Sequence, residues 1–273
     1  MATALITGGG GAIAFEIATR LQDRGYDLIL VDFDQRRMEE NASKLKSPKL
    51  VKIDLSNAVE LEALSQQIER GDLDVDLLVN NAGFIRPGTI ADADPDIVTR
   101  QISINLVAPI RLTQAAVRYL IMRQKPGGVL SLISAAGMVS LPGNAAYSAS
   151  KFGLRGFLLG ASLELADKGI TFTQIFPGAV DTPMLRYEAT HGGSPMNFLN
   201  KDVLTAAQVA DVSVSAYEKK TLEAFLPRSE GWMGRLLVAF PGLLKFLLPH
   251  LEKRGEKNRA HFVATRGLSQ GAE

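Results

Sequence analysis

The feature that most constrains this 273-residue chain is a repeated alternation of short, almost wholly apolar runs with longer amphipathic segments. The apolar runs fall at 2–7, 28–32, 50–54, 76–80, 129–134, 171–176 and 222–226, and helix-like stretches lie near 12–24, 35–45, 57–69, 95–122, 145–166 and 205–219. A strand with one face in water alternates polar and apolar residues; these runs do not, so both of their faces are covered. Helical segments between such strands predict an α/β protein: a doubly wound, parallel sheet of about seven strands with helices on both sides. No linker, repeat or break in composition divides the first 230 residues. A single domain over 1–229 is expected, followed by a helical C-terminal extension over 230–273.

With 46% hydrophobic and 22% charged residues, the chain can bury a substantial core. A formal charge of +1 gives no reason to expect nucleic acid as a partner. The absence of cysteine excludes disulfides, thiolate catalysis and cysteine-ligated metal. His191, His250 and His261 have no metal-ligand spacing, so no metal site is expected. The N-terminus runs directly into a strand pattern and lacks the charged start and apolar core of a signal peptide, which makes a cytoplasmic enzyme the default.

Chemistry concentrates in two places. Tyr147 and Lys151 are one helical turn apart in Tyr147-Ser148-Ala149-Ser150-Lys151, so both project from one helix face. A phenol, ordinarily near pKa ~10, becomes usable for proton transfer if a nearby cation favours its phenolate. The first strand runs into Gly8-Gly9-Gly10-Gly11, and a helical pattern starts at once. Such a turn lets backbone N–H groups approach a pyrophosphate at a helix N-terminus. Asp32 ends the second strand 24 residues beyond Gly8, near the distance for an acid that binds an adenosine ribose. A carboxylate there repels a 2′-phosphate, while Arg36 and Arg37 partly offset that repulsion; NAD is favoured over NADP.

On these residues the chain resembles the short-chain dehydrogenase/reductase family over about 2–226. Asp54-Leu55 resembles the family's adenine-binding pair, and Asn80-Asn81-Ala82-Gly83 its signature after the fourth strand. Asn105 matches the helix asparagine, and Ser134 stands 13 residues before Tyr147, the family's offset between serine and tyrosine. Pro177-Gly178-Ala179-Val180-Asp181-Thr182 matches the loop on the nicotinamide side. The resemblance implies a Rossmann-like domain. Tyr147 would exchange the substrate proton, and Lys151 would lower its pKa and bind the nicotinamide ribose. Ser134 would hold the substrate oxygen, and Asn105 would orient a water linking Lys151 to solvent. The cofactor-binding set would be Gly8, Gly10, Gly11, Ile13, Asp32, Asp54, Leu55, Asn81, Gly83, Tyr147, Lys151, Pro177, Gly178, Val180 and Thr182. Ala12 and Ala14 depart from the family's glycine pattern. Ala14 meets the need for a small residue, whereas Ala12 adds a methyl where backbone meets pyrophosphate.

Segment 182–204 mixes Met184, Leu185, Met196, Phe198 and Leu199 with His191-Gly192-Gly193-Ser194-Pro195, a composition suited to a lid over an apolar substrate. Beyond it, an apolar stretch from Trp232 to Leu248 is broken by Pro241-Gly242 and Pro249 and is too short to span a membrane. Lys253, Arg254, Lys257, Arg259 and Arg266 follow it. Packing over the substrate cleft or against a second subunit is favoured there over contact of 230–260 with an anionic membrane. The expectation is a homo-oligomeric, NAD-dependent enzyme interconverting an apolar secondary alcohol and its ketone. The alternatives are an NADPH-dependent ketoreductase and a non-catalytic nucleotide sensor or scaffold.

Overall fold

The computed structural model describes residues 2–269; Met1 and the last four positions of the C-terminal extension, 270–273 with Glu273, lie outside the described residues. Seven strands, β1 (Ala2–Thr7), β2 (Tyr26–Asp32), β3 (Lys49–Lys52), β4 (Leu77–Asn80), β5 (Gly127–Leu132), β6 (Ile170–Pro177) and β7 (Glu223–Leu226), form one sheet. Their order is β3-β2-β1-β4-β5-β6-β7, and every pairing is parallel. The expected α/β, Rossmann-like sheet is the observed one.

Successive side chains of a strand point to opposite faces, and here both faces meet helices. Leu5, Ile29, Leu78, Val129 and Phe172 pack with Leu61, Leu64, Leu112, Ala116, Leu154 and Leu158. Those partners belong to α3 (Ala58–Glu69), α5 (Ala108–Arg123) and α6 (Ala145–Glu164). Ile6, Leu30, Leu77, Val79, Leu130 and Ile175 pack the other way, against Ala14, Ile17, Leu21, Met38, Val209 and Val214. These come from α1 (Ala12–Gln22), α2 (Gln35–Ala42) and α8 (Ala206–Glu218). Ala14 is fully buried, so the small residue at that position is needed by the helix–sheet contact.

Three local readings change. The helix expected over 95–122 divides into α4 (Pro95–Ile102), a π-helical segment (Ser103–Val107) and α5. Pro109 has no N–H to give the Asn105 carbonyl four residues before it, and the helix widens there. The fifth strand stops at Leu132, before the expected Ser134, because Ser134 leaves extended geometry with φ 145° and ψ 159°. Pro249 does not break the C-terminal region: α9 (Arg228–Ala239) is followed by α10 (Gly242–Thr265), which runs through that proline. Among the described residues no helix is long and apolar enough to cross a membrane.

Segment 182–204 contains α7 (Pro183–Thr190) and a 3₁₀ turn (Pro195–Phe198). Leu185, Ala189, Phe198 and Phe262 form a third apolar cluster that holds α10 against both. Asn258 Nδ2 donates to the Phe198 carbonyl at 2.9 Å, and Arg266 pairs with Asp181 at 2.8 Å, tying the end of α10 to the loop after β6. Gly255 is buried, and a Cβ there would collide with the Pro195 backbone carbonyl. Gly255→Ala therefore sets an overpacking penalty of about 1–3 kcal/mol against a helix-propensity gain of about 1 kcal/mol. The expected result is a Tm lowered by several degrees in a calorimetric melt; an unchanged or raised Tm would show that α10 does not sit on this turn.

Candidate active site

Because all strands are parallel, Thr7, Asp32, Asn80, Leu132 and Pro177 end at one edge of the sheet, and the order reverses direction between β1 and β4. That is where an open α/β sheet leaves a crevice. Gly8 has φ +70°, and a Cβ on it would lie 2.8 Å from Asn81 Nδ2 and 3.0 Å from Ala82 Cα, so only glycine fits. Thr7 Oγ1 accepts from the Asn81 and Ala82 amides at 3.0 and 3.1 Å, and Asn81 Nδ2 donates to the Thr7 carbonyl at 2.9 Å. The loops after β1 and β4 are thereby one unit. Asp32 accepts from the Gly10 amide at 2.9 Å and the Asp34 amide at 3.0 Å, which fixes its carboxylate against the glycine loop.

The first turn of α1 lacks a side-chain cap, whereas Asp34, Asn57, Asp94, Thr182 and Thr205 cap α2, α3, α4, α7 and α8. Open N–H groups behind a glycine loop that admits no side chain fit a dinucleotide's pyrophosphate. Ala12 is exposed at the start of that helix. Asp54 accepts from the Ser56 amide and hydroxyl at 2.8 and 2.7 Å and lies 3.8 Å from Arg100, while Leu55 is buried in the core.

Ser134 holds a conformation that residues bearing a Cβ rarely adopt, a strain that persists only where surrounding structure enforces it. Its Oγ accepts from the Ala136 amide at 3.1 Å. Tyr147 and Lys151 occupy the first half of α6; Lys151 Nζ lies 5.7 Å from the phenol ring centroid and donates to the Leu132 carbonyl at 3.0 Å. Lys151 is buried, and desolvation pushes its ammonium down to about 8. The phenol lies above its usual range, raised first by burial and then by the Glu188 carboxylate, with the Ser134 hydroxyl opposing. The expectation that Lys151 draws the phenol down is thus not met. Burial outweighs a cation that is itself desolvated and hydrogen-bonded to a carbonyl. Both polar atoms of the buried Asn105 side chain engage Phe84: Oδ1 accepts from its amide at 2.8 Å, and Nδ2 donates to its carbonyl at 2.7 Å. Oδ1 and Nδ2 each keep one further hydrogen-bonding site, in a side chain that is fully buried.

A cavity of about 470 Å³ brings together Ile13, Asn81, Gly83, Ser134, Tyr147, Lys151, Pro177, Gly178, Val180 and Thr182. Gly8, Gly10, Gly11, Asp32, Asp54, Leu55 and Asn105 are not part of its wall. Met184 and Met196 from segment 182–204, with Met233, Leu237 and Leu251 from α9 and α10, supply much of the apolar lining.

Two carboxylates on this wall carry no motif that sequence reasoning could use. Glu188 of α7 is buried, accepts from Asn197 Nδ2 at 3.0 Å and is pushed up to about 7 by burial, with Asn197 and Asn144 opposing. Glu230 of α9 accepts from Asn200 Nδ2 at 3.0 Å and is likewise pushed up to about 7 by burial. The one available signal was Asn144, a helical turn before Tyr147.

Comparison with known proteins agrees with this geometry. The family model "short chain dehydrogenase" matches residues 2–192. A relative named nodulation protein G, from Rhizobium meliloti (strain 1021), is 36% identical over 185 residues, covering 66% of this chain and 74% of that protein. A short-chain dehydrogenase from Sphingobium yanoikuyae, solved in complex with NADPH, superposes with a TM-score of 0.77 at 24% identity, covering 90% of this chain and 96% of that one. An alcohol dehydrogenase from Comamonas testosteroni, described as specific for bulky-bulky ketones, superposes with a TM-score of 0.74 at 25% identity over 90% of this chain and 94% of that one. The protein is a member of the short-chain dehydrogenase family of oxidoreductases.

Proposed function

We propose that the protein interconverts a secondary alcohol and its ketone with NAD(H), acting on a substrate with an apolar body. The observation that carries this reading is the convergence of Ser134, Tyr147 and Lys151 with the Pro177–Thr182 loop on one largely apolar cavity. A bound nicotinamide would supply the hydride acceptor or donor for the carbinol carbon. The alcohol's remaining proton passes to Tyr147 as the C–O bond becomes a carbonyl, and the reverse reaction draws that proton from Tyr147. Ser134 donates a hydrogen bond to the reacting oxygen and stabilises charge developing on it. Lys151 holds the ribose hydroxyls and supplies positive charge beneath the phenol. Asn105 positions the Phe84 loop through its side chain. Its main-chain carbonyl, which Pro109 deprives of the usual helical donor, would hold a proton-relay water. The apolar side chains exposed on α6 (Phe152, Leu159 and Leu163) and on α5 (Ile121 and Met122) suit burial against a second copy.

NAD is favoured over NADP because the Asp32 carboxylate is fixed beside the glycine loop. The neighbouring cations are already engaged, Arg37 with Asp34 at 3.4 Å and Arg36 with Glu40 at 2.7 Å. An NADPH-using reductase is the second reading. The raised phenol pKa favours it by suiting Tyr147 to donate a proton, and the solved Sphingobium yanoikuyae protein carries NADPH.

Tyr147→Phe keeps the ring and removes the proton; kcat for any alcohol or ketone turned over is expected to fall by about 10²–10⁴. NADH binding, followed by fluorescence, is expected to survive the change. Activity at the wild-type level would remove Tyr147 from the proposed role. In fluorescence titrations of Asp32→Asn, which keeps the shape and removes the charge, the preference for NADH over NADPH is expected to shrink by roughly tenfold, about 1.4 kcal/mol of lost repulsion. An unaltered ratio would refute the assignment of Asp32. The carboxylate of Glu188 opposes ionisation of the phenol, so Glu188→Gln lowers the phenol's pKa. The rising limb of log kcat/KM against pH for alcohol oxidation, which requires the phenolate, is expected to move to lower pH. A limb that moves upward would contradict the coupling.

A further inference from the structure

The wall of the cavity nearest Tyr147 holds polar groups that the protein leaves without partners. Asn144 is the N-cap residue of α6, a position where an Asn side chain normally accepts from the first helical turn, yet it makes no capping bond. Its Oδ1 is buried without a hydrogen-bond partner, and the residue is 5% exposed. One turn on, Ser148 Oγ is also unpartnered, at 2% exposure. The other buried helical serines bond back to their own helix: Ser65 to Leu61, Ser150 to Tyr147 and Ser213 to Val209, at 2.6–2.9 Å. Ser148 is the exception among them, and it lines the cavity. Glu188 faces the same space from α7, its carboxylate held by Asn197 Nδ2 at 3.0 Å and flanked by the Asn144 amide.

Unpartnered buried donors and acceptors are costly, and Asn80, Thr173 and Gln174 also carry them, but only those of Asn144 and Ser148 lie on the wall of this cavity, where a ligand can complete them. Here one hydroxyl donor, Ser148, stands beside two acceptors, Asn144 Oδ1 and Glu188. A substrate hydroxyl both donates and accepts and satisfies such a set. Asn144 precedes Tyr147 by three residues, ~4.5 Å along the helix axis, so the hydroxyl belongs within two carbons of the reacting one.

We propose that Asn144, Ser148 and Glu188 form a second polar subsite that binds a hydroxyl group on the substrate, making the preferred substrates hydroxy ketones and the corresponding diols with an apolar remainder. This rests on the alcohol–ketone reading above and narrows it to a substrate class.

The test compares propiophenone with its α-hydroxy and β-hydroxy derivatives in reduction with NADH and with NADPH by the wild type, Glu188→Met and Ser148→Ala. The wild type is expected to favour at least one hydroxy derivative by roughly tenfold or more in kcat/KM, the scale of a completed buried hydrogen bond. Both variants are expected to bring that ratio towards one. Ser148→Ala removes an unpartnered buried hydroxyl, so its Tm in the ligand-free state is expected to hold or rise, which separates a binding role from a structural one and keeps the test open if Glu188→Met does not fold. A wild-type ratio near one, or a ratio unmoved by Ser148→Ala, would overturn the subsite and leave water as its occupant. If none of the ketones is turned over, the alcohol–ketone reading fails by itself. The subsite is then decided by thermal shift with 1-phenylpropanediol against 1-phenylpropanol. Stronger protection by the diol, lost in Ser148→Ala, supports it, and equal protection overturns it.

Discussion

Because the central strands β1, β4, β5 and β6 are buried on both faces, a helix must cover each face between strands, and each connection must return the chain to the same starting edge. Parallel order follows from this burial, and with it the placement of every group that matters chemically. Thr7, Asp32, Asn80, Ser134 and Pro177 are far apart in sequence but share an edge because each stands at or just beyond a strand's carboxyl end. The Thr7 hydroxyl then locks two of those ends together through the Asn81 and Ala82 amides. Losing the apolar character of one central strand would therefore remove a wall of the site as well as part of the core.

Sequence legibility followed locality. The glycine loop, Asp32 and the Tyr147–Lys151 spacing could be read because each depends on neighbours a few residues away. The parallel sheet could be read because two-sided burial leaves a continuous apolar run. Helix continuity was harder. Pro109 acts on a carbonyl one turn earlier, and Pro249 is accommodated inside α10, so the same residue type interrupts a helix in one place and not in the other. The residues around the cavity mouth were not legible. Glu188, Glu230 and Asn197 acquire meaning only when α7, the Pro195–Phe198 turn and α9 close over Tyr147, contacts that no periodicity encodes.

The Tyr147–Lys151 pair illustrates why spacing alone does not fix a pKa. One turn of helix puts the ammonium beneath the ring, but the sign of the net effect depends on what lies above. Burial raises the phenol and lowers the ammonium, each towards its neutral form, and a carboxylate on α7 pushes the phenol further in the same direction. Any group that neutralises Glu188 or adds positive charge over the phenol reverses part of that shift. Tyr147, Lys151, Glu188 and Glu230 line one cavity, and of these the Tyr147 phenol and the Glu188 carboxylate interact directly. The packing of α7, α9 and α10 around this cavity therefore has electrostatic as well as steric consequences. The contacts that bury Tyr147 raise the phenol's proton affinity, and under the proposed alcohol–ketone reaction that favours delivery of a proton to a ketone oxygen over removal of one from an alcohol.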